Sequence, residues 1–159
     1  MKSIEAALKW IVGILEEHKI PFQIAGGLAA RIYGATRPIN DVDIDIPEDR
    51  FEEILETVKP YIIYGPAQYK DERWDTKLMT LNFQGQEIDI SGAYLLKICD
   101  ARTGVWQHIS TDLSKVNQKI VFGISVPVIP VKELVEYKSM LVGEHQKHDI
   151  DAIKHQIKE

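Results

Sequence analysis

Residues 41–46 read Asp-Val-Asp-Ile-Asp-Ile, and this strict alternation of acid with branched apolar side chain constrains the fold more than any other stretch. On an extended strand successive side chains point to opposite faces, so Val42, Ile44 and Ile46 share one face and Asp41, Asp43 and Asp45 the other. The apolar face needs a core and the acidic face needs water, a cleft or a cation. Carboxylates a few ångströms apart raise one another's pKa, whereas a divalent cation with oxygen ligands keeps them ionised. The spacing therefore predicts a half-buried sheet strand that carries a metal-binding pair, Asp41 and Asp43. A third acid, Asp89, alternates with Ile88 and Ile90 in a later β-rich run. It can join the pair if its strand lies beside theirs.

Gly26 and Gly27 stand before Asp41 with thirteen residues between. Residues 24–25 read as the end of an apolar strand, and residues 28–33 as a short helix stopped by Gly34. The glycines then occupy a strand-to-helix turn, where the backbone can approach a ligand closely and the free N–H groups of a helix start favour an anion such as phosphate. A phosphate cradle beside a cation-binding pair suits a nucleoside triphosphate.

Elsewhere the pattern is that of an α/β chain. Ser3 is placed to cap a helix carrying Ile4, Leu8, Ile11 and Leu15 at helical spacing to about Glu17. Pro47 opens a second helix with Phe51, Ile54, Leu55 and Val58 on one face. Residues 61–64 read as a strand, residues 65–75 as a polar surface loop, and residues 78–83 and 86–90 as a hairpin turning on Gln84-Gly85. Residues 91–115 give little pattern. A second hairpin over 120–129 carries Pro127, which argues for an edge position. Leu134, Tyr137 and Leu141 then mark a helix ended by Gly143, and a last helix carries Ile150, Ile153 and Ile157.

With 159 residues and 45% hydrophobic content, one domain over residues 1–159 is expected. A net charge of −5 with scattered Lys and Arg argues against a duplex nucleic-acid surface. The single Cys99 excludes an intramolecular disulfide and a Cys-based zinc site. No apolar run is long enough to cross a bilayer, and the first residues lack a secretory pattern, so a soluble cytoplasmic protein without a membrane partner is expected.

In order and motif the chain resembles the nucleotidyltransferase superfamily, whose minimal fold is shared with DNA polymerase β, and within it the small bacterial members. The likeness rests on Ala25-Gly26-Gly27, the spacer at the long end of the family's range, and Asp41 to Ile44. It extends through Gly34, Arg37, Asp89, Lys138 and the ending Lys147-His148-Asp149-Ile150-Asp151. The resemblance implies a mixed sheet flanked by helices, with a catalytic core over residues 1–92 and C-terminal strands and helices over 93–159. It implies transfer of a nucleoside monophosphate from a triphosphate, ATP among the candidates, to an acceptor hydroxyl, with release of pyrophosphate. Asp41 and Asp43 would hold two Mg2+ ions, or Mn2+, and Asp89 would bind the catalytic metal and draw the acceptor's proton. Gly26, Gly27, Arg37 and Lys138 would contact the nucleotide. The acceptor is open between a small molecule, a tRNA end and a protein hydroxyl, and a homodimer or a protein partner could complete its pocket.

Each feature also has a plainer reading. Acidic alternation is usually a solvated strand face, a double glycine a turn, and a helix lysine solvent-facing; the combination favours the site. Asp45 reads as a solvated strand-end acid, because pairing it with Asp43 would lengthen the spacer. Asp41, Asp43, Asp45 and Glu52 also fit four ligand positions of a calcium loop, but Ile46 replaces its glycine and Pro47 follows. The five histidines lack metal-ligand spacing, and the three tryptophans read as packing. The competing function is a noncatalytic or regulatory module of the same fold, such as a toxin–antitoxin component.

Overall fold

In the computed structural model, which describes residues 2–157, helix α1 (Lys2–Glu17) buries Ile4, Leu8, Ile11 and Leu15 on one stripe, as the spacing predicts. Ser3 is not its cap. The helix already includes Lys2, and Ser3 Oγ donates instead to Gln86 Oε1 at 2.9 Å. Trp10 stacks on Phe83, centroids 4.5 Å apart, and leans on Tyr61 at 4.6 Å. Strand β1 (Gln23–Ala25) runs directly into α2 (Gly26–Ile32), so the glycines form the first turn of this helix rather than precede it. In β2 (Asp41–Ile46) Val42, Ile44 and Ile46 are fully buried and the three acids half-buried.

The segment after Pro47 is wound mainly as 3-10 turns (Glu48–Ile54) before one α-turn, α3 (Leu55–Val58). Its start is tied down sideways, because the Glu48 carboxylate accepts the backbone N–H groups of Tyr94 and Leu95. Strands β3 (Ile62–Lys70) and β4 (Trp74–Phe83) pair antiparallel, so most of the expected loop over 65–75 is sheet. Its polar composition is that of an outer strand whose side chains largely face solvent, and two register shifts near Gly65 break the alternation that would have revealed it. Then follow β5 (Gln86–Gly92), β6 (Leu96–Cys99), β7 (Trp106–Ile109), β8 (Asn117–Val121), β9 (Ile124–Val128), α4 (Val131–Ser139) and α5 (Glu144–Ile153). Gln84 and Gly85 both have positive φ, 52° and 88°, the geometry of a two-residue primed turn.

The strands form one mixed sheet in the order β7-β6-β4-β5-β2-β1-β9-β8, with β3 beside β4, and helices flank it in a mixed α/β architecture. Strand β9 lies between β1 and β8, not at an edge. Strand β1 meets it only through Ile24 and Val128, so Pro127 interrupts little pairing on that side. The core unites the inner faces of α1, β2, β5, α2 and α4. Among the described residues no helix is long and apolar enough to cross a membrane.

Candidate active site

The pairing of β2 with β5 builds the site. The two strands run parallel with Asp41 opposite Glu87 and Asp43 opposite Asp89. All four side chains therefore share the face opposite Val42, Ile44, Ile88 and Ile90, which are buried in the core. Oxygens of Asp41, Glu87 and Asp89 come within 4.8 Å of one another, the metal-competent group among the described residues. Strand β4 lies on the other side of β5 with Thr80 opposite Asp89, and Thr80 Oγ1 donates to Asp89 Oδ1 at 2.7 Å. Such a hydrogen bond fixes a ligand's orientation from behind.

The cluster is electrostatically strained without a cation. Burial, then the charge of Asp89, a hydrogen bond with Asp89 and the charge of Glu87, push Asp41 up to about 6. Burial also raises Asp43 well above the carboxylate range, reinforced by Asp41, Asp89 and Asp45 and opposed by Lys138. Glu87 is raised by burial and by Asp89. Three carboxylates offering only oxygen fit a hard divalent cation such as Mg2+ or Mn2+, so the donor set suits the expected metal. Asp45 is not a freely solvated acid: Gln23 Nε2 donates to its Oδ2 at 2.8 Å, and burial pushes it up to about 7. The calcium-loop alternative fails, because Asp41, Asp43 and Asp45 lie on a paired strand and Glu52 bonds to Lys77.

The glycine turn closes on the acids. Gly26 has φ +62°, and a Cβ there would overlap the Asp43 carboxylate; a Cβ on Gly27 would lie 3.3 Å from Arg37 Nη2. Both glycines thus permit close approach of the turn to charged side chains. The Gly26 N–H is not free for an anion, since it donates to the buried Tyr137 hydroxyl at 2.6 Å. Arg37 lies in the loop between α2 and β2, and Lys138 on α4 is buried, 3% exposed, rather than solvent-facing. Both are bonded to Asp149 of α5.

These walls enclose a cleft of about 880 Å³, lined by Gly26, Gly27, Arg37, Asp41, Asp43, Asp89 and Lys138 among others. The structure brings every expected site residue to one cavity. Its far wall comes from the β3–β4 and β6–β7 pairs and α4, with Tyr69, Asp71, Trp74, His108, Glu133 and Glu136. Glu87, Thr80 and Tyr137 were not foreseen, and Asp149 was named only within the C-terminal run that carries the resemblance, without a role. Glu87 could have been found, because it alternates with Asp89 as Asp41 does with Asp43; the other three depend on contacts distant in sequence.

No family model matches the chain, and no curated protein matches its sequence. Its fold, however, is shared with solved structures. A candidate nucleotidyltransferase from Thermotoga maritima superposes with a TM-score of 0.67 at 20% identity, over 82% of this chain and 80% of that one. The lincosamide antibiotic adenylyltransferase LnuA, with lincomycin bound, gives 0.63 at 15% identity over 94% and 96%. The antibiotic-resistance factor ANT(2'')-Ia gives 0.61 at 14% identity over 94% and 82%. At these identities the likeness is one of fold: the chain has the nucleotidyltransferase, polymerase-β-like architecture.

Proposed function

We propose that residues 1–159 form one catalytic unit, a nucleotidyltransferase of the small bacterial type that moves a nucleoside monophosphate from a triphosphate such as ATP to a hydroxyl of a small acceptor. The observation that carries this reading is the β2–β5 register, which gathers Asp41, Glu87 and Asp89 within 4.8 Å in a cleft that Arg37 and Lys138 also line. Asp41, Asp43, Glu87 and Asp89 would hold Mg2+ or Mn2+, as two ions in the full reading. The metal would neutralise charge on the reacting phosphate and on the leaving pyrophosphate. Arg37 and Lys138 bind the triphosphate from beside the glycine turn. Thr80 occupies one oxygen of Asp89, leaving the other to take the proton of the acceptor hydroxyl. The acceptor oxygen then bonds to the α-phosphorus as the α–β bridging bond breaks, and pyrophosphate leaves. Catalysis of this kind rests on positioning and charge neutralisation.

The far wall narrows the acceptor class. Among the described residues, Arg37 and Lys138 are the only Lys or Arg side chains lining the cleft, and Asp71, Glu133 and Glu136 add negative charge to its walls. A polyanion such as a tRNA end would be repelled there, which favours a small hydroxyl compound. The test is pyrophosphate release from the four triphosphates with Mg2+ against a panel of neutral and cationic hydroxyl compounds. The reading expects release that disappears in EDTA and in Asp43→Asn; release unchanged by both would overturn it.

A further inference from the structure

The two cations assigned to the triphosphate do not stand independently. Arg37 donates from Nε and Nη2 to the two oxygens of Asp149, at 3.3 and 3.0 Å. Lys138 donates from Nζ to the same Oδ2 at 3.1 Å and to Gln146 Oε1 at 2.9 Å. Because they share one oxygen, Arg37 Nη2 and Lys138 Nζ are no more than about 6 Å apart. Asp149 is 1% exposed and does not line the cleft, whereas Arg37 and Lys138 both do.

We propose that Asp149 is a positioning residue for the triphosphate: its one buried carboxylate holds Arg37 and Lys138 side by side on the cleft wall. A purely structural pair is a weaker account, since a buried ion pair adds little stability over well-packed apolar residues. An apolar contact would also join α4 to α5 without placing charge at the cleft. Asp149 bridges two like charges that would otherwise repel across a short, partly dehydrated gap. Burial pulls Lys138 down from its ordinary pKa, and the Asp149 charge and hydrogen bond push it back, Arg37 opposing and Asp43 assisting. Burial likewise pushes Asp149 up, but its bonds to Arg37 and Lys138 outweigh this and hold it below the usual carboxylate value. Without Asp149 the arginine loses its bidentate partner and the lysine its reason to stay charged and in place.

The inference rests on the nucleotidyltransferase reading, so its test uses a probe that does not. Inorganic tripolyphosphate, ATP, AMP and adenosine are titrated calorimetrically into the full chain, as wild type, Asp149→Asn and Asp149→Glu, with circular dichroism and thermal melting as fold controls. The clamp predicts that Asp149→Asn weakens tripolyphosphate and ATP at least tenfold and leaves adenosine within twofold, because the loss scales with phosphate number. A general structural defect would weaken all ligands alike. Asp149→Glu, which restores the charge one methylene away, is expected to give intermediate affinity and keeps the test decisive if the asparagine variant folds poorly. Tripolyphosphate binding that is equal in the wild type and both variants, or absent from the wild type, overturns the proposal. Wild type that binds tripolyphosphate but not ATP, with loss in Asp149→Asn, supports the clamp and overturns the nucleotide reading instead.

Discussion

Replacing Asp41 with Asn should stabilise the metal-free protein at neutral pH. Burial, with the neighbouring Asp89 and Glu87, raises the Asp41 pKa from 3.8 to about 6. An acid whose pKa is raised on folding binds its proton more tightly in the native state. Stability therefore falls as pH rises from about 4 to about 6, and the full penalty is present at neutral pH. At about 1.36 kcal/mol per pKa unit the penalty is about 3 kcal/mol, and solvent screening of a partly exposed group reduces it to about 1–2 kcal/mol. Asn keeps the shape and removes the charge. With a urea m-value of about 2 kcal/mol/M, the unfolding midpoint in EDTA should rise by about 0.5–1 M, and the difference from wild type should vanish near pH 4. Saturating Mg2+ should reverse the ranking, since a ligand at a hundredfold its Kd adds about 2.7 kcal/mol to the state that binds it and the variant has lost a ligand oxygen. The reasoning is refuted if Asp41→Asn is less stable than wild type in EDTA, or if its advantage is the same near pH 4 and near pH 7.

Tyr137→Phe removes the acceptor of the part-buried Gly26 N–H, so it should cost about 1 kcal/mol in urea unfolding; an unchanged midpoint would show that this hydrogen bond does not hold the glycine turn. Thr80→Val releases Asp89 from its hydrogen bond and should weaken Mg2+ binding by about 10-fold or more, as loss of such a supporting group does. Isothermal titration with Mg2+ checks this, and unaltered affinity would mean that Thr80 does not orient the ligand.

Much of the site was legible because it depends on local alternation. Asp41-Val42-Asp43 and Ile88-Asp89-Ile90 declare their faces without knowledge of any neighbour, and Gln84-Gly85 announces the hairpin that aligns β4 with β5. What alternation cannot supply is which strands lie side by side. The parallel β2–β5 register makes Glu87 a partner of Asp41, and the β4–β5 register makes Thr80 a partner of Asp89. The part of β3 beyond Tyr64 was hidden because its exposed, bulged course carries no buried stripe. Pro127 misled because the short β1 contact lets a proline sit in an interior strand. Lys138 was expected at the nucleotide, with a solvent-facing lysine as the plainer reading; that it is buried against Asp149 depends on α5, a contact between residues 11 apart that no helical periodicity encodes.

The most direct test of the account is calorimetric titration of ATP, GTP, CTP and UTP into the wild type, Asp43→Asn and Asp89→Asn, with Mg2+ and with EDTA, after circular dichroism confirms that all three proteins are folded. The account predicts that at least one triphosphate binds the wild type with Mg2+ and that binding is lost in EDTA and in both variants. A folded wild type that binds no triphosphate, or binds one equally well without Mg2+ and without either acid, would contradict it.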